Sequence, residues 1–346
     1  MDHDDLTLLL DTAERWFAGH APLADRVAAF RSGSHEPDGA WAQFAEMGWT
    51  AMTLPEAQGG FGAGATQAFE LLRRAGRDAR PEPLGLHLLL APHVVQALPA
   101  LADALIGGES RLAMADCPQR GAALRWDGAT LSGTVPVVEG LAHATHLLVP
   151  LAANTRAPLL LVDLDSPSIG RTPARLVDGR STARLTFERV PAQLAGDAAL
   201  ALDLAAAAQV ADCSGVFETA FQMTLAYLKQ RVQFGKPLSA QQAIQHRMAE
   251  AFCDLQQQLA LAQRLAAEID AAPAGPWATL PVAKSFVGRR ALRGVGALIQ
   301  LSGGIAVTEE YQLTHLYRRL HVAAQLYGAA EAQLARIDVR ATLLAA

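Results

Sequence analysis

What this chain has little of narrows its chemistry first. Three cysteines, Cys117, Cys213 and Cys253, stand in 346 residues with no CxxC spacing. That pattern excludes a disulfide framework or a zinc site and leaves buried free thiols as the expectation. The ten histidines are scattered, and the pair His143 and His146 has no acidic or thiol neighbour, so no metal centre is expected. Basic runs are missing: 29 Lys and Arg stand against 34 Asp and Glu, for a net charge of −5. Nucleic-acid binding needs a clustered Lys/Arg face, so no nucleic-acid partner is expected. No apolar run reaches membrane-spanning length without interruption, and the opening Met-Asp-His-Asp-Asp carries no basic n-region. These absences point to a cytoplasmic protein without membrane insertion.

Hydrophobic residues make up 51% of the chain, many of them alanine, which favours close-packed helices. From about residue 4 to 108 apolar residues recur at helical spacing, as at Trp16-Phe17, Trp41, Phe44 and Met47, and Leu86 to Val95. From about 111 to 194 the period shortens. Asp127-Gly128 reads as a hairpin turn, and 131–135, 146–150, 158–163 and 183–187 read as strands. Helical period returns over 198–231, 240–271, 281–302 and 317–343, four helices of a bundle. The fold class expected is α+β, mostly α. An N-terminal helical domain (1–110), a middle β-barrel or sandwich domain (111–195) and a C-terminal four-helix bundle (196–346) follow one another.

Between the first two bundle helices lies Arg231-Val232-Gln233-Phe234-Gly235-Lys236-Pro237-Leu238, followed by Gln241-Gln242. Gly235 and Pro237 break the helical period, as a tight interhelical turn requires. The turn gathers a planar cationic fork, an amide and an aromatic face, a set suited to a phosphate and a stacked base. A capped connection whose Phe234 simply packs reads the same residues equally well.

This R-x-Q-F-G-x-P-L segment resembles the acyl-CoA dehydrogenase superfamily, flavoproteins that oxidise acyl-CoA thioesters at the α,β bond. Leu54-Pro55-Glu56-Ala57-Gln58-Gly59-Gly60-Phe61-Gly62 is similar to the family's N-terminal loop. Gln300-Leu301-Ser302-Gly303-Gly304, running on to Thr308-Glu309-Glu310-Tyr311, is similar to its Q-x-x-GG segment, and Tyr317-Arg318-Arg319 to the start of its last long helix. The resemblance spans essentially the whole chain. It implies flavin adenine dinucleotide (FAD) at a subunit interface. Arg231 would face the pyrophosphate, with Gln233 beside it, Phe234 would lie on the adenine side, and Gln241 and Gln242 along the adenosine. Gln300, Gly303 and Gly304 would let backbone approach the diphosphate.

The departures are equally specific. Met114-Ala115-Asp116-Cys117-Pro118-Gln119-Arg120-Gly121 stands where the family has T-E-P-x-x-G-S-D. Val135-Pro136-Val137-Val138-Glu139-Gly140 stands where it has a Trp and a hydroxyl. The stretch Ala324-Gln325-Leu326-Tyr327-Gly328-Ala329-Ala330 contains no acid where the family's catalytic base stands, and an alternative base position falls on Ala205. The catalytic residue is therefore left unassigned. Glu331, Asp203 and Glu139 are the displaced candidates, and Asp203 reads better as a first-turn residue favoured by the helix dipole. A chain that keeps the half-site it lends and has lost the half it would use resembles the small subunit of a heteromeric acyl-CoA dehydrogenase, α2β2. The resemblance implies a second, related subunit carrying the base, an acyl-CoA substrate and an electron-transferring flavoprotein. A self-sufficient homo-oligomer with a displaced base, and a flavin-free acyl-CoA-binding or scaffold protein, are the alternatives.

Overall fold

The computed structural model describes residues 3–20, 28, 39–116, 124–152 and 157–337. Two compact units emerge, one of residues 1–9, 29–68 and 81–208, the other of 10–28, 69–80 and 209–346. In chain order the helices before the strands are α1 (His3–Gly19), α2 (Ala40–Glu46), α3 (Ala65–Arg77), α4 (Leu84–Ala97) and α5 (Ala102–Ile106). Helix α4 is apolar all round, and nine of its residues are buried. Such a helix belongs in a core, and α4 packs against strands of the first unit. Its one polar core group, His87, sets Nε2 2.9 Å from the Thr50 carbonyl and its ring edge-on to Trp41. In the loop after α2, a side chain at Gly60 would place Cβ 2.1 Å from the Leu54 carbonyl oxygen, so only glycine lets the loop fold back there.

Among the described residues nine strands follow: β1 (Leu112–Ala115), β2 (Leu124–Trp126), β3 (Thr130–Val135), β4 (Val138–Glu139), β5 (His146–Pro150), β6 (Pro158–Asp163), β7 (Ile169–Arg175), β8 (Ser181–Pro191) and β9 (Gln193–Asp197). They form a five-stranded sheet in the order β4-β1-β5-β6-β9 and a four-stranded one in the order β2-β3-β8-β7. Among the described residues only β1 and β5 run parallel. The sheets are open, so the expected barrel or sandwich resolves as two sheets around one apolar cluster. That cluster includes Leu131, Val135, Leu147, Val149, Leu160, Leu185 and Phe187. The Asp127-Gly128 turn joins β2 to β3 as anticipated, with Asp127 accepting from the Ala129 and Thr130 amides.

Helix α6 (Ala198–Gln230) follows, then the short strands β10 (Val232–Gln233) and β11 (Lys236–Pro237), then α7 (Gln242–Ala271). Next come α8 (Thr279–Phe286), a π-helical turn over Val287–Ala291, α9 (Leu292–Ser302), α10 (Leu313–Gln325) and α11 (Ala330–Leu334). Asp197 caps α6 by accepting from the Leu200 amide at 2.8 Å. Asp203 therefore lies beyond the first turn and is not the dipole-favoured residue the sequence suggested. In the second unit α3 and α6 cross at glycines: a Cβ on Gly215 would fall 1.9 Å from the Arg73 carbonyl oxygen, and one on Gly76 2.0 Å from that of Asp212. Beside the crossing, Glu218 holds Arg73 and Arg77. Arg319 of α10 grips Asp212 through two hydrogen bonds of 2.9 and 3.2 Å.

Four expectations change. The last helix stops at Gln325 rather than running on from 317, because Tyr327 and Gly328 take φ of 53° and 108°; residues 338–343 of that expected helix lie outside the described residues. Cys213 is buried, but Cys253 is exposed on α7, and Cys117 lies outside the described residues. Helix α6 is long and apolar enough to cross a membrane, although 89% of its most apolar window is buried inside the fold. The turn after α6 is a small two-stranded hairpin rather than a bare connection.

Candidate functional site

The hairpin begins where α6 ends. The Arg231 amide closes the helix on the Tyr227 carbonyl at 2.8 Å, and its own carbonyl accepts from the Leu238 amide at 2.8 Å. Val232 pairs with Pro237 and Gln233 with Lys236, which leaves Phe234 and Gly235 as the two turn residues. Both take positive φ, 56° and 78°. That is the geometry of a type I′ hairpin, usually filled by Asn-Gly. A phenylalanine held there costs of the order of 1 kcal/mol of backbone strain. Its ring is 90% exposed, so the reading in which Phe234 simply packs does not hold.

The neighbouring side chains are also turned outward. Arg231 and Gln233 are exposed, and the Arg231 guanidinium makes no hydrogen bond or ion pair among the described residues. Gln241 caps α7 with its backbone carbonyl, which accepts from Ile244 and Gln245, and Gln242 opens the helix exposed. No Asp or Glu occurs from 219 to 249, where Lys229, Arg231, Lys236 and Arg247 all stand. Locally this surface is cationic on a protein of net charge −5.

The second group sits at the end of α9. Gln300 is exposed in its last turn, and Gly303 terminates the helix at φ 73°. A Cβ built on Gly303 or Gly304 meets no atom within 4 Å, so the space in front of both is open. Gly303 needs glycine for its backbone angle. From Gly303 to Val307 the chain makes a single 3-10 stretch, closed by the Thr308 hydroxyl on the Ile305 carbonyl at 2.8 Å. No hydrogen bond joins this turn to the hairpin among the described residues, so each group stands as its own patch on the second unit. Their chemistry fits a dinucleotide: an unpaired guanidinium for the diphosphate, an aromatic face for a base, and glycine backbone with open space before it.

The displaced carboxylates fare differently. Glu331 is exposed and ion-paired to Arg289 at 3.1 Å. Its own backbone amide and the Arg289 hydrogen bond hold its carboxyl below the ordinary glutamate range. A base for an α-proton wants the opposite, a dry pocket that raises its pKa. Glu139 is 4% exposed and is held by Arg180 at 2.9 Å, a guanidinium it shares with Asp178. The neighbouring Val138 is locked to the Thr182 hydroxyl in both directions, its amide donating and its carbonyl accepting. Asp203 is half-buried and already has a partner. Of the segment 114–121, Met114 and Ala115 end β1, while Cys117 to Gly121 lie outside the described residues.

One feature of the missing-base stretch has no signal in the motifs. Lys284 of α8 is 1% exposed and donates to the carbonyls of Ala323 at 2.7 Å and Gly328 at 3.1 Å. Ser285 donates to Ala330 O, and Gln333 Nε2 to Tyr327 O. The break between α10 and α11 is thus filled by donors satisfying its orphan carbonyls. A lone lysine inside an apolar helical pattern was the only trace of this in the sequence.

Residues 3–96 match the acyl-CoA dehydrogenase N-terminal domain and residues 196–342 its C-terminal domain. The chain is 27% identical over 338 residues to the acyl-CoA dehydrogenase IpdE2 of Mycolicibacterium smegmatis, covering 97% of this chain and 98% of that protein. A steroid ACAD structure, Tcur3481-Tcur3483, superposes with a TM-score of 0.87 at 30% identity, covering 99% of both chains. The ChsE4-ChsE5 complex from Mycobacterium tuberculosis shares the fold, with a TM-score of 0.86 at 20% identity over 100% of this chain and 98% of that one. Motifs, fold and relatives agree: this chain belongs to the acyl-CoA dehydrogenase family, oxidoreductases that act on CH–CH bonds.

Proposed function

We propose that this chain is a subunit of a heteromeric, FAD-dependent acyl-CoA dehydrogenase, lending the diphosphate and adenosine half of a shared flavin site to a second, related subunit. The observation that carries this reading is the contrast between two sets of side chains. Arg231, Gln233, Phe234, Gln242 and Gln300 face outward, and open space fronts Gly303 and Gly304. The acids nearest the family's base positions are held by internal partners. Arg231 would neutralise the diphosphate, Phe234 would give the adenine an aromatic face, and the glycine turn would let backbone N–H groups approach phosphate oxygens.

Bound FAD supplies the two-electron acceptor for α,β-dehydrogenation of an acyl-CoA thioester. The α-proton would go to a carboxylate of the partner subunit, and an electron-transferring flavoprotein would reoxidise the enzyme. Two-component assemblies among the solved relatives support a partner. A cytoplasmic location fits a chain in which the one long apolar helix among the described residues is mostly buried in the fold. The limits 1–110, 111–195 and 196–346 are proposed as its domains, since helices give way to strands after Ile106 and return at Ala198.

The test is the visible absorption spectrum of the chain purified alone and co-expressed with an acyl-CoA dehydrogenase-like partner. The expected result is a colourless lone chain and about one FAD per αβ pair, lost on Arg231→Ala. Full flavin loading with acyl-CoA-dependent bleaching in the lone chain would establish a self-sufficient enzyme instead. No flavin in either preparation would leave only the fold.

A further inference from the structure

We propose that Glu309 is a positioning residue for the glycine turn, an assignment that rests on the flavin-site reading above. An anion-binding turn works by aiming backbone N–H groups, so its value depends on where the chain is fixed on either side. On one side Gly303 and Gly304 leave the end of α9 directly. On the other, five residues separate Val307 from Leu313, the first residue of α10, and side chains provide the ties. The carboxylate of Glu309 bridges two residues one turn apart on α10. Its Oε1 accepts from Arg318 at 3.0 Å, and its Oε2 lies 2.9 Å from His315 Nε2, a contact that becomes an ion pair when the imidazole is protonated. Tyr311, two residues on, donates its hydroxyl to the Met223 carbonyl of α6 at 3.0 Å. The loop is thereby clamped to α10 by one carboxylate and to α6 by one phenol.

The exposure of these groups separates positioning from stability. Glu309 and Arg318 are 45% and 37% exposed at their side chains, so solvent screens the pair and the fold depends little on it. The path of the backbone between Gly304 and Leu313 depends on it directly. Glu310 is the internal comparison, because it carries the same charge at the next position and is exposed. Simple proximity of negative charge to a diphosphate would make both glutamates unfavourable. Positioning makes Glu309 alone favourable.

The experiment measures FAD affinity by flavin fluorescence titration of the deflavinated two-subunit complex, with the melting temperature of the apo-complex alongside. Glu309→Gln is expected to weaken FAD about tenfold, about 1.4 kcal/mol, with the apo melting temperature unchanged. Arg318→Gln should give the same loss by removing the other end of the bond, and Glu310→Gln should leave affinity equal or tighter. Wild-type affinity in Glu309→Gln and Arg318→Gln, with loss in Arg231→Ala, would overturn the positioning role and leave the flavin site standing. Wild-type affinity in Arg231→Ala would remove the site reading and this assignment together. Equal weakening by Glu309→Gln and Glu310→Gln would also overturn it.

Discussion

Replacing Gly215 by alanine tests whether the α3–α6 crossing is as close as the structure makes it. The new Cβ would stand 1.9 Å from the Arg73 carbonyl oxygen and 2.6 Å from the Arg77 amide nitrogen. Both neighbours are helix backbone, so neither can swing aside, and the helices must separate by more than about 1 Å to restore ordinary contact. Separation also pulls apart the reciprocal approach at Gly76 and the Glu218 bridges to Arg73 and Arg77. Overpacking of this kind costs about 1–3 kcal/mol. Alanine's better helix propensity returns roughly 0.8 kcal/mol, so the sum is a net loss of about 0.2–2 kcal/mol. For a unit of this size that lowers the melting temperature by up to roughly 8 °C. Gly296→Ala is the matched control. Its Cβ meets only Tyr317 Cε2 at 3.7 Å, an ordinary contact, so propensity alone should raise stability. Scanning calorimetry of both variants reads the two signs in one experiment. A Gly215→Ala protein at least as stable as wild type would refute the crossing.

Other perturbations have equally definite signs. Asp212→Ala leaves Arg319 buried without its two hydrogen bonds and should destabilise by about 3–5 kcal/mol, read by denaturant midpoint; a midpoint like that of wild type would deny the buried pair. His87 is fully buried and its pKa is pushed down to about 4 by desolvation, against about 6.5 in the unfolded chain. The neutral ring therefore stabilises the fold fully above pH 6.5, and up to about 3 kcal/mol is lost as pH falls from 6.5 towards 4. A His87→Phe variant should show a flatter stability profile across that window, and equal slopes in both proteins would reject the cause. Glu331→Gln should leave the turnover of the assembled enzyme within about twofold, because the carboxylate is solvated and ion-paired; a loss of a hundredfold or more would restore it as the base.

Much of the fold was legible because it rests on local signals. Asp127-Gly128 makes its hairpin from residues that favour that turn wherever they stand. The switch from helical to alternating period marks the sheets without knowledge of their pairing. Strand order was not legible, since the parallel pairing of β1 with β5 depends on packing between distant segments. The break at Tyr327 and Gly328 was hidden for a similar reason: Lys284, some forty residues earlier, supplies the donors that let the helix stop there. At the candidate site, motif spacing named the residues but not their posture. Nothing in R-x-Q-F-G says that the phenyl ring stands 90% in solvent on a strained turn.

The lysine beneath the α10–α11 break carries a consequence for descent. A carboxylate restored by one substitution in the Ala324–Gly328 stretch would arrive beside the Lys284 amine, already bonded to the carbonyls at Ala323 and Gly328. A hydrogen bond from it would favour the ionised, weakly basic form of the new group, so that single step gives a poor base and no advantage to select. Removing the lysine first would leave two inward carbonyls without donors and penalise the fold. Each order of the two changes passes through a disadvantaged intermediate, so on the two-subunit reading proposed above such a lineage stays committed to its partner.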